Sequence, residues 1–382
     1  MTRKKIAILF PVFFNGGAEF VTAWMLESLK NIYDVSLFTF SQINFSEINQ
    51  KFGTSLSKDD IDVRVIHPLL KYLSDPHRYS LMTIRQHLLA NKFRKVCEDF
   101  DLAISAFNEM DLGKPGIQYI HVPLFAHGNE IARHIFNYPT STIRTLYQRT
   151  CEFLSGYSEE RMKKNITITN SQWTADLIKR SFGMDAKILS PMVVITKINT
   201  PWEKRENGFI ISGRLTPDKN IESAIEIISK VRKVYPDVHL HIVSSGYDSN
   251  YRNNILKLCE LNAQWLYLTE NLSRSEYQQI LSQHRYGIHA RANETFGITI
   301  AEMVCAGCIP FIPDEGGQLE IVGNNPALKF GNIEEAVDKI CDVLSSPIHQ
   351  TQLHENLSTH GNLFTYENFN SKLIFHIEQA MG

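Results

Sequence analysis

Two segments carry residue types that could handle a phosphorylated polyol. Asn293-Glu294-Thr295-Phe296-Gly297-Ile298-Thr299-Ile300-Ala301-Glu302 follows an apolar run ending near His289 and turns helical near Gly297. That passage leaves Glu294 in the loop and Glu302 one to two turns inside the helix, with both carboxylates at a strand's carboxyl end. The amides of Gly297, Ile298 and Thr299 have no partner within the helix, and with the helix dipole they attract an anion such as a phosphate or pyrophosphate. Glycine at 297 permits close backbone approach. Carboxylates repel phosphate but accept from hydroxyls, so the pairing points to a nucleotide sugar. For an isolated pair of glutamates, a solvated cap and a surface helix residue is the plainer account.

A second segment changes that balance. Ile210-Ile211-Ser212-Gly213-Arg214-Leu215-Thr216-Pro217-Asp218-Lys219-Asn220 again reads strand, loop, helix, with two cations five residues apart. Arg214 and Lys219 could converge on one diphosphate, each charge-assisted hydrogen bond contributing about 1.5–3 kcal/mol. Thr216-Pro217 suits a helix start under either reading.

These loops need strands and helices to position them. Apolar β-branched runs alternate with helical spacing throughout, which predicts an α/β protein with parallel sheets covered on both faces. In the first half the predicted strands are Ile6–Val12, Asp34–Phe40, Val63–His67, Leu102–Ala106, Ile117–Val122 and Ile166–Asn170, with helices over Ala18–Lys30, Ser80–Glu98, Ser141–Leu154 and Ser171–Phe182. The series repeats with strands at Phe209–Gly213, Val238–Ser244, Trp265–Thr269, Tyr286–His289 and Ile309–Ile312, separated by helices near Asn220–Tyr235, Asn250–Leu261, Arg274–His284 and Gly297–Ala306. Two doubly wound, Rossmann-like domains follow, 1–195 and 196–366. The polar stretch Ile195–Gly208 is the linker, and residues 367–382 form a C-terminal helix expected to pack back on the first domain.

The 382 residues exceed what a single core usually serves. A formal charge of −2 excludes nothing-but-charge binding to nucleic acid, although residues 1–200 carry 24 basic and 19 acidic side chains against 15 and 22 in the remainder. Six scattered cysteines fit a reducing, cytoplasmic setting. Arg3-Lys4-Lys5 before Ile6–Phe14 resembles a leader, but the run ends in Asn15-Gly16-Gly17 and an amphipathic segment, which favours a first buried strand. No apolar stretch approaches the roughly 20 residues that cross a bilayer. Lys71, Arg78, Arg85, Lys92, Arg94 and Lys95, interleaved with apolar residues, predict at most a weak peripheral contact with the inner face of a membrane.

Ser212-Gly213-Arg214-Leu215 to Lys219-Asn220, the pair Glu294 and Glu302, and Gly316-Gly317-Gln318-Leu319-Glu320-Ile321-Val322 stand in the order seen in GT-B glycosyltransferases of the large retaining family 4. Asn15-Gly16-Gly17-Ala18-Glu19 and Tyr119-Ile120-His121-Val122-Pro123 extend the resemblance over nearly the whole chain. Gly287-Ile288-His289 through Phe296-Gly297 resembles most the mannosyltransferases that extend lipid-linked oligosaccharides. The resemblance implies a nucleotide diphosphate sugar (GDP-mannose, UDP-glucose or UDP-GlcNAc) in the cleft between domains, held mainly by the second, and a glycan or lipid-linked acceptor. It implies that Glu302 binds ribose hydroxyls, Glu294 a sugar hydroxyl, and the Phe296, Gly297, Ile298 and Thr299 backbone the sugar and phosphates. Arg214 and Lys219, beside Ser212 and Gly213, would neutralise the diphosphate as it departs. Gly16 and Gly17 would approach the phosphates, and His121 would face the reacting sugar. Transfer with retention, no metal and no other cofactor is implied. An epimerase or hydrolase of the nucleotide sugar, or a non-catalytic sugar-nucleotide-binding subunit, are the alternatives.

The chain departs from the family in three places: Glu302-Met303-Val304-Cys305 for Glu-Ala-Met-Ala, His289-Ala290-Arg291 for Pro-Ser, and Ser244-Ser245-Gly246 for Gly-x-Gly. Arg291 brings a cation close to the sugar contacts. Cys305-Ala306-Gly307-Cys308 has no second ligand pair and closes a helix, so neither zinc nor redox chemistry is expected. Asp60-Ile61-Asp62 reads as a solvated strand start rather than a metal motif. The sequon Asn293-Glu294-Thr295 would put a glycan on the site, in keeping with a cytoplasmic location. A lone histidine such as His121 more often serves structure than catalysis.

Overall fold

The computed structural model describes residues 3–13, 16–66, 81–124, 142–195, 200–246 and 248–382. The chain divides into one unit of Met1–Pro191 with Phe369–Gly382 and a second of Met192–Asn368.

In the first unit seven parallel strands run in the order β3-β2-β1-β4-β5-β6-β7, with β1 at Lys5–Leu9, β2 at Asp34–Thr39, β3 at Ile61–Val65, β4 at Leu102–Ser105, β5 at Ile117–Ile120, β6 at Ile166–Thr169 and β7 at Lys187–Ile188. Ile6, Ala7, Ile8 and Leu9 are fully buried, as a central strand covered on both faces requires. Helix ends follow local chemistry. Ser171 accepts from the Thr174 amide to start Gln172–Phe182, and Gly183 closes that helix in the left-handed region.

The second unit holds six parallel strands in the order β10-β9-β8-β11-β12-β13, with β8 at Glu206–Ser212, β9 at His239–Ser244, β10 at Leu266–Glu270, β11 at His284–Ile288, β12 at Ile309–Pro313 and β13 at Lys329–Phe330. In local terms this is 3-2-1-4-5-6, the doubly wound order whose direction reverses between β8 and β11. The strands pack against helices that include Ile221–Val231 and Ile298–Cys305, with Ile227, Ile228, Ile300 and Ala301 fully buried.

The expected α/β class and most elements stand. Glu206, Asn207 and Gly208, read as linker, instead open β8: Glu206 pairs with His284 and Gly208 with His239. Polar composition hid them because this end of the strand is only partly covered. The helices Phe45–Phe52, Ile333–Ser345 and Pro347–Gly361 and the short strands β7 and β13 had no assignment from sequence. Two-residue strands are defined by pairing with a distant neighbour and carry no periodicity of their own. The basic stretch also reads differently: Arg85 is fully buried and Arg94 pairs with Asp111 at 3.4 Å, so neither faces outward to a lipid surface. Lys71 and Arg78, and Asn15 of the first glycine turn, lie outside the described residues.

His87 and His121 are driven by burial to a pKa of about 4, with Arg94 also disfavouring a charged His87. Both are therefore neutral at pH 7. A histidine whose pKa is lower folded than unfolded contributes stability that is complete above its unfolded pKa and is lost as pH falls toward the folded value. Stability should hold above pH 7 and fall between about 6.5 and 4 by up to ~1.4 kcal/mol per pH unit for each group. Denaturant melts across that range would show it, and a flat profile would count against neutral burial.

Candidate functional site

Ser212 ends β8 and His289 directly follows β11, so the loops leaving these adjacent strands meet at the topological reversal, where open α/β sheets bind ligands. Lys219 Nζ lies 2.9 Å from Glu294 Oε2, and both side chains are mostly buried. Arg291 approaches the same carboxylate at 3.6 Å while its guanidinium bonds Asp218 at 3.0 Å. Burial alone would raise the Glu294 pKa, but Lys219 and then Arg291 reverse this and hold it well below the usual carboxylate range. Glu294 is thus a fixed anion and a committed acceptor. Asp218 is likewise held low against burial by a Thr216 hydrogen bond and by Arg291, Lys219 and Arg214.

His289 lies under this pair, 1% exposed, its Nε2 3.7 Å from Glu294 Oε2. Neither ring nitrogen has a hydrogen-bond partner. Burial lowers its pKa, opposed by Glu294, so the ring is neutral and offers one donor and one acceptor. It lines a small pocket with Ser212, Gly213, Lys219 and Ile221. An unpaired buried imidazole in such a place costs free energy unless a ligand completes it.

Glu302 sits within the helix Ile298–Cys305 and is 4% exposed. Arg274 Nη1 meets its Oε1 at 2.6 Å, and the Tyr277 hydroxyl donates to Oε2 at 2.9 Å. Tyr277 also meets the Ser212 hydroxyl at 2.8 Å, linking β8 to Glu302. A carboxylate has about four acceptor positions, so the remaining lone pairs can still accept hydroxyls. Arg274 and Tyr277 have no counterpart in the sequence reading. Their only signal was one helix turn of separation in a segment opened by the Ser273/Glu276 capping box.

Gly297 is the N-cap of that helix with φ +101°, and a Cβ there would lie 2.8 Å from Ile300 Cδ1, so glycine is required. The Phe296 side chain is buried against Phe364, leaving its backbone as the part that can serve the site. Gly316 packs directly on the Glu294 backbone: Gly317 N donates to Glu294 O at 2.8 Å, and a Cβ on Gly316 would stand 2.6 Å from that oxygen. Buried Gln318 donates to the carbonyls of Arg291 and Glu315 at 3.1 and 2.8 Å, tying the Gly316-Gly317-Gln318 turn to the Glu294 loop. Asn293, in the left-handed region, presents its amide nitrogen to Glu315 once oriented for bonding.

In the first unit Gly16 caps the helix Gly17–Leu29, its amide donating to Glu19 at 2.8 Å. His121 follows β5, and its Nε2 donates to the Ala106 carbonyl at 3.1 Å, which leaves the lone pair on Nδ1. Asn108, at φ +57°, accepts from the His121 and Val122 amides at 2.9 and 3.0 Å. This positioning residue escaped the sequence reading because nothing local marks it. The six cysteines are free, and burial pushes Cys305 and Cys308 up to about 12, which leaves both thiols protonated and inert. Asp60 caps the Ser57 turn and Asp62 bonds Ser36 and Arg64.

Two doubly wound parallel sheets in one chain, with glycine loops and acids at the reversal of the second, define the GT-B class of glycosyltransferase fold. Over residues 195–360 the chain matches the family described as glycosyl transferases group 1. Curated relatives are the GDP-Man:Man(3)GlcNAc(2)-PP-Dol alpha-1,2-mannosyltransferases of Dictyostelium discoideum, 23% identical over 57% of this chain and 48% of that one, and of Candida glabrata, 22% identical over 54% and 45%. The chain spans about half the length of these relatives. Among solved structures, the sucrose-phosphate synthase of Thermosynechococcus elongatus superposes with TM-score 0.72 at 14% identity over 99% of both chains. WaaG, a glycosyltransferase involved in lipopolysaccharide biosynthesis, gives 0.68 at 12% identity over 97% of this chain and 99% of its own. HepE of Anabaena, solved with UDP-glucose, gives 0.67 at 14% over 98% and 100%.

Removing one partner of a buried ion pair leaves an uncompensated charge. Arg274→Ala should therefore cost about 3–5 kcal/mol, and adding Glu302→Gln should recover part of that loss. Denaturant unfolding of the single and double variants checks this, and strict additivity would show that the two side chains are not coupled.

Proposed function

We propose that the chain is a retaining, metal-independent glycosyltransferase that moves a hexose from a nucleotide diphosphate sugar, GDP-mannose or UDP-linked glucose or N-acetylglucosamine, to a saccharide or lipid-linked acceptor. The observation that carries this reading is the Lys219–Glu294 pair above an unpartnered, buried His289 at the reversal of the second sheet. The family match and the names of the curated relatives support the donor class.

In this mechanism Lys219 and Arg214 neutralise the diphosphate, whose negative charge grows as the glycosidic bond breaks, and the helix start at Gly297, Ile298 and Thr299 donates amides to it. Glu294, held ionised, accepts from a sugar hydroxyl and fixes the ring. His289, neutral and buried beneath this carboxylate, keeps one donor and one acceptor beside Ser212 and Gly213. Glu302, oriented by Arg274 and Tyr277, accepts from the ribose. The acceptor attacks from the face that the leaving phosphate occupies and gives that phosphate its proton, so no protein nucleophile is needed. In the first unit the resemblance gives Gly16 and Gly17 a role toward the phosphates and His121 one toward the reacting sugar and acceptor, with His121 presenting a neutral Nδ1 acceptor.

Among the described residues no helix is long and apolar enough to cross a membrane. The helix Thr142–Ser155 exposes Leu146, Phe153 and Leu154, with Phe153 85% exposed, which supports a peripheral contact with a membrane. Phe153→Ser with Leu154→Ser should then reduce cosedimentation with anionic vesicles while leaving turnover of a soluble acceptor unchanged; equal cosedimentation would remove the role of this helix.

Glu294→Gln and Lys219→Ala should each lower kcat/KM by about 10²–10³-fold in folded protein, the scale of losing one charge-stabilising group. Thermal shifts with GDP, UDP and their sugars identify the donor, followed by transfer assays. Unchanged transfer by either variant would sink the assignment. Rapid donor consumption without acceptor would instead favour an epimerase or hydrolase, and binding without turnover a non-catalytic subunit.

A further inference from the structure

We propose that Glu206, His239 and His284 form a binding site for a divalent metal ion of the zinc type, at the edge of the second sheet opposite the donor loops. The three residues are the first of β8, β9 and β11, three strands adjacent in the sheet. Register aligns them, with His284 beside Glu206 and His239 beside Gly208. They are 33 and 45 or more positions apart in sequence, so only the parallel pairing unites them.

Their geometry suits tetrahedral coordination. His239 Nε2 lies 3.1 Å from Glu206 Oε2 and 3.3 Å from His284 Nε2, and all three ligand atoms fall within 4.8 Å of one another. Zinc–nitrogen and zinc–oxygen bonds of about 2.0–2.1 Å place the vertices of a tetrahedron roughly 3.3 Å apart. The imidazoles are also prepared for the task. His284 Nδ1 meets the Ile280 carbonyl at 2.8 Å; a carbonyl can only accept, so Nδ1 carries the proton and Nε2 presents its lone pair to the cluster. Metal-ligating histidines commonly donate their other N–H in this way. Gly208 provides the space, since a Cβ there would stand 2.2 Å from His239 Nε2. A glycine in mid-strand weakens a sheet, and its use here lets the ring of His239 lie across β8 toward His284.

Two imidazoles and one carboxylate leave the fourth position to water. The ion has a route in, because the Glu206 side chain is 53% exposed and that of His239 18%, whereas His284 is buried. β8 runs seven residues from Glu206 to Ser212, which separates the site from the donor loops by roughly 20 Å. The ion would therefore tie together the starts of three strands and take no part in the transfer. It is independent of the proposed function.

Chelator-stripped, untagged full-length chain is titrated with Zn²⁺ against a chromophoric competitor. One equivalent should bind, and Zn²⁺ should raise the melting temperature. Glu206→Gln is isosteric and exposed, so it keeps the fold; it should weaken binding by at least the ~10–100-fold that loss of an outer-shell partner costs, as should His239→Ala, and both should lose the melting shift. Co²⁺ in place of Zn²⁺ should give the strong visible absorption of a four-coordinate ion in the wild type and not in Glu206→Gln. Failure of the wild-type chain to bind Zn²⁺, or equal binding by wild type and Glu206→Gln, would overturn the proposal and leave the cluster as a hydrogen-bond relay.

Discussion

The second unit is organised around a carboxylate that Lys219 and Arg291 hold ionised. Glu294 is mostly buried, and an ion in that position is tolerated only because Lys219, 75 residues away, stands 2.9 Å from it, with Arg291 beside it. The pair requires β8 and β11 to be neighbours, since one partner leaves the first strand and the other the second. It requires Gly316 too, because the turn after β12 packs on the Glu294 backbone so closely that a side chain would collide. Gln318 then bonds across the two loops and fixes their separation. The sheet order, the glycine turn and the charge arrangement are one solution to the problem of holding an anion still beneath the surface.

Glu302 shows a different use of the same residue type. Its charge is balanced by Arg274 and its orientation set by Tyr277, which in turn reaches Ser212 at the end of β8. The result is a polar chain from one strand end to a helix interior in which each oxygen has a defined direction. Such a network costs little when complete and much when any member is lost. His289 stands apart from both networks. Its two nitrogens make no hydrogen bond within the chain, and the nearest charge is Glu294 at 3.7 Å.

Much of this was legible in the residues. Parallel strands buried on both faces read as continuous apolar runs, so the α/β alternation and most elements could be placed from spacing alone, the long helices Ile333–Ser345 and Pro347–Gly361 excepted. Glu294 and Glu302 were placed in a loop and a helix because glycine at 297 marks the helix start. Arg274, Tyr277 and Asn108 were not found. Each acts through partners between 13 and 65 residues away, and nothing about an arginine, a tyrosine or an asparagine in its own segment says which distant group it will meet. The same holds for Glu206 and Gly208, whose polar segment suggested a linker and whose partners are strands that begin 31 or more residues later.

The sequence by itself determined the class of fold, the loops that leave each strand and the chemical types those loops carry, because periodicity and glycine placement act over a few residues. Tertiary structure alone decided which charges are paired, which nitrogen of a histidine holds its proton, and which side chains share one end of a sheet. Those outcomes depend on burial and on the pairing of strands far apart in the chain, and an ion or an imidazole responds to the groups within a few ångströms rather than to its neighbours in sequence.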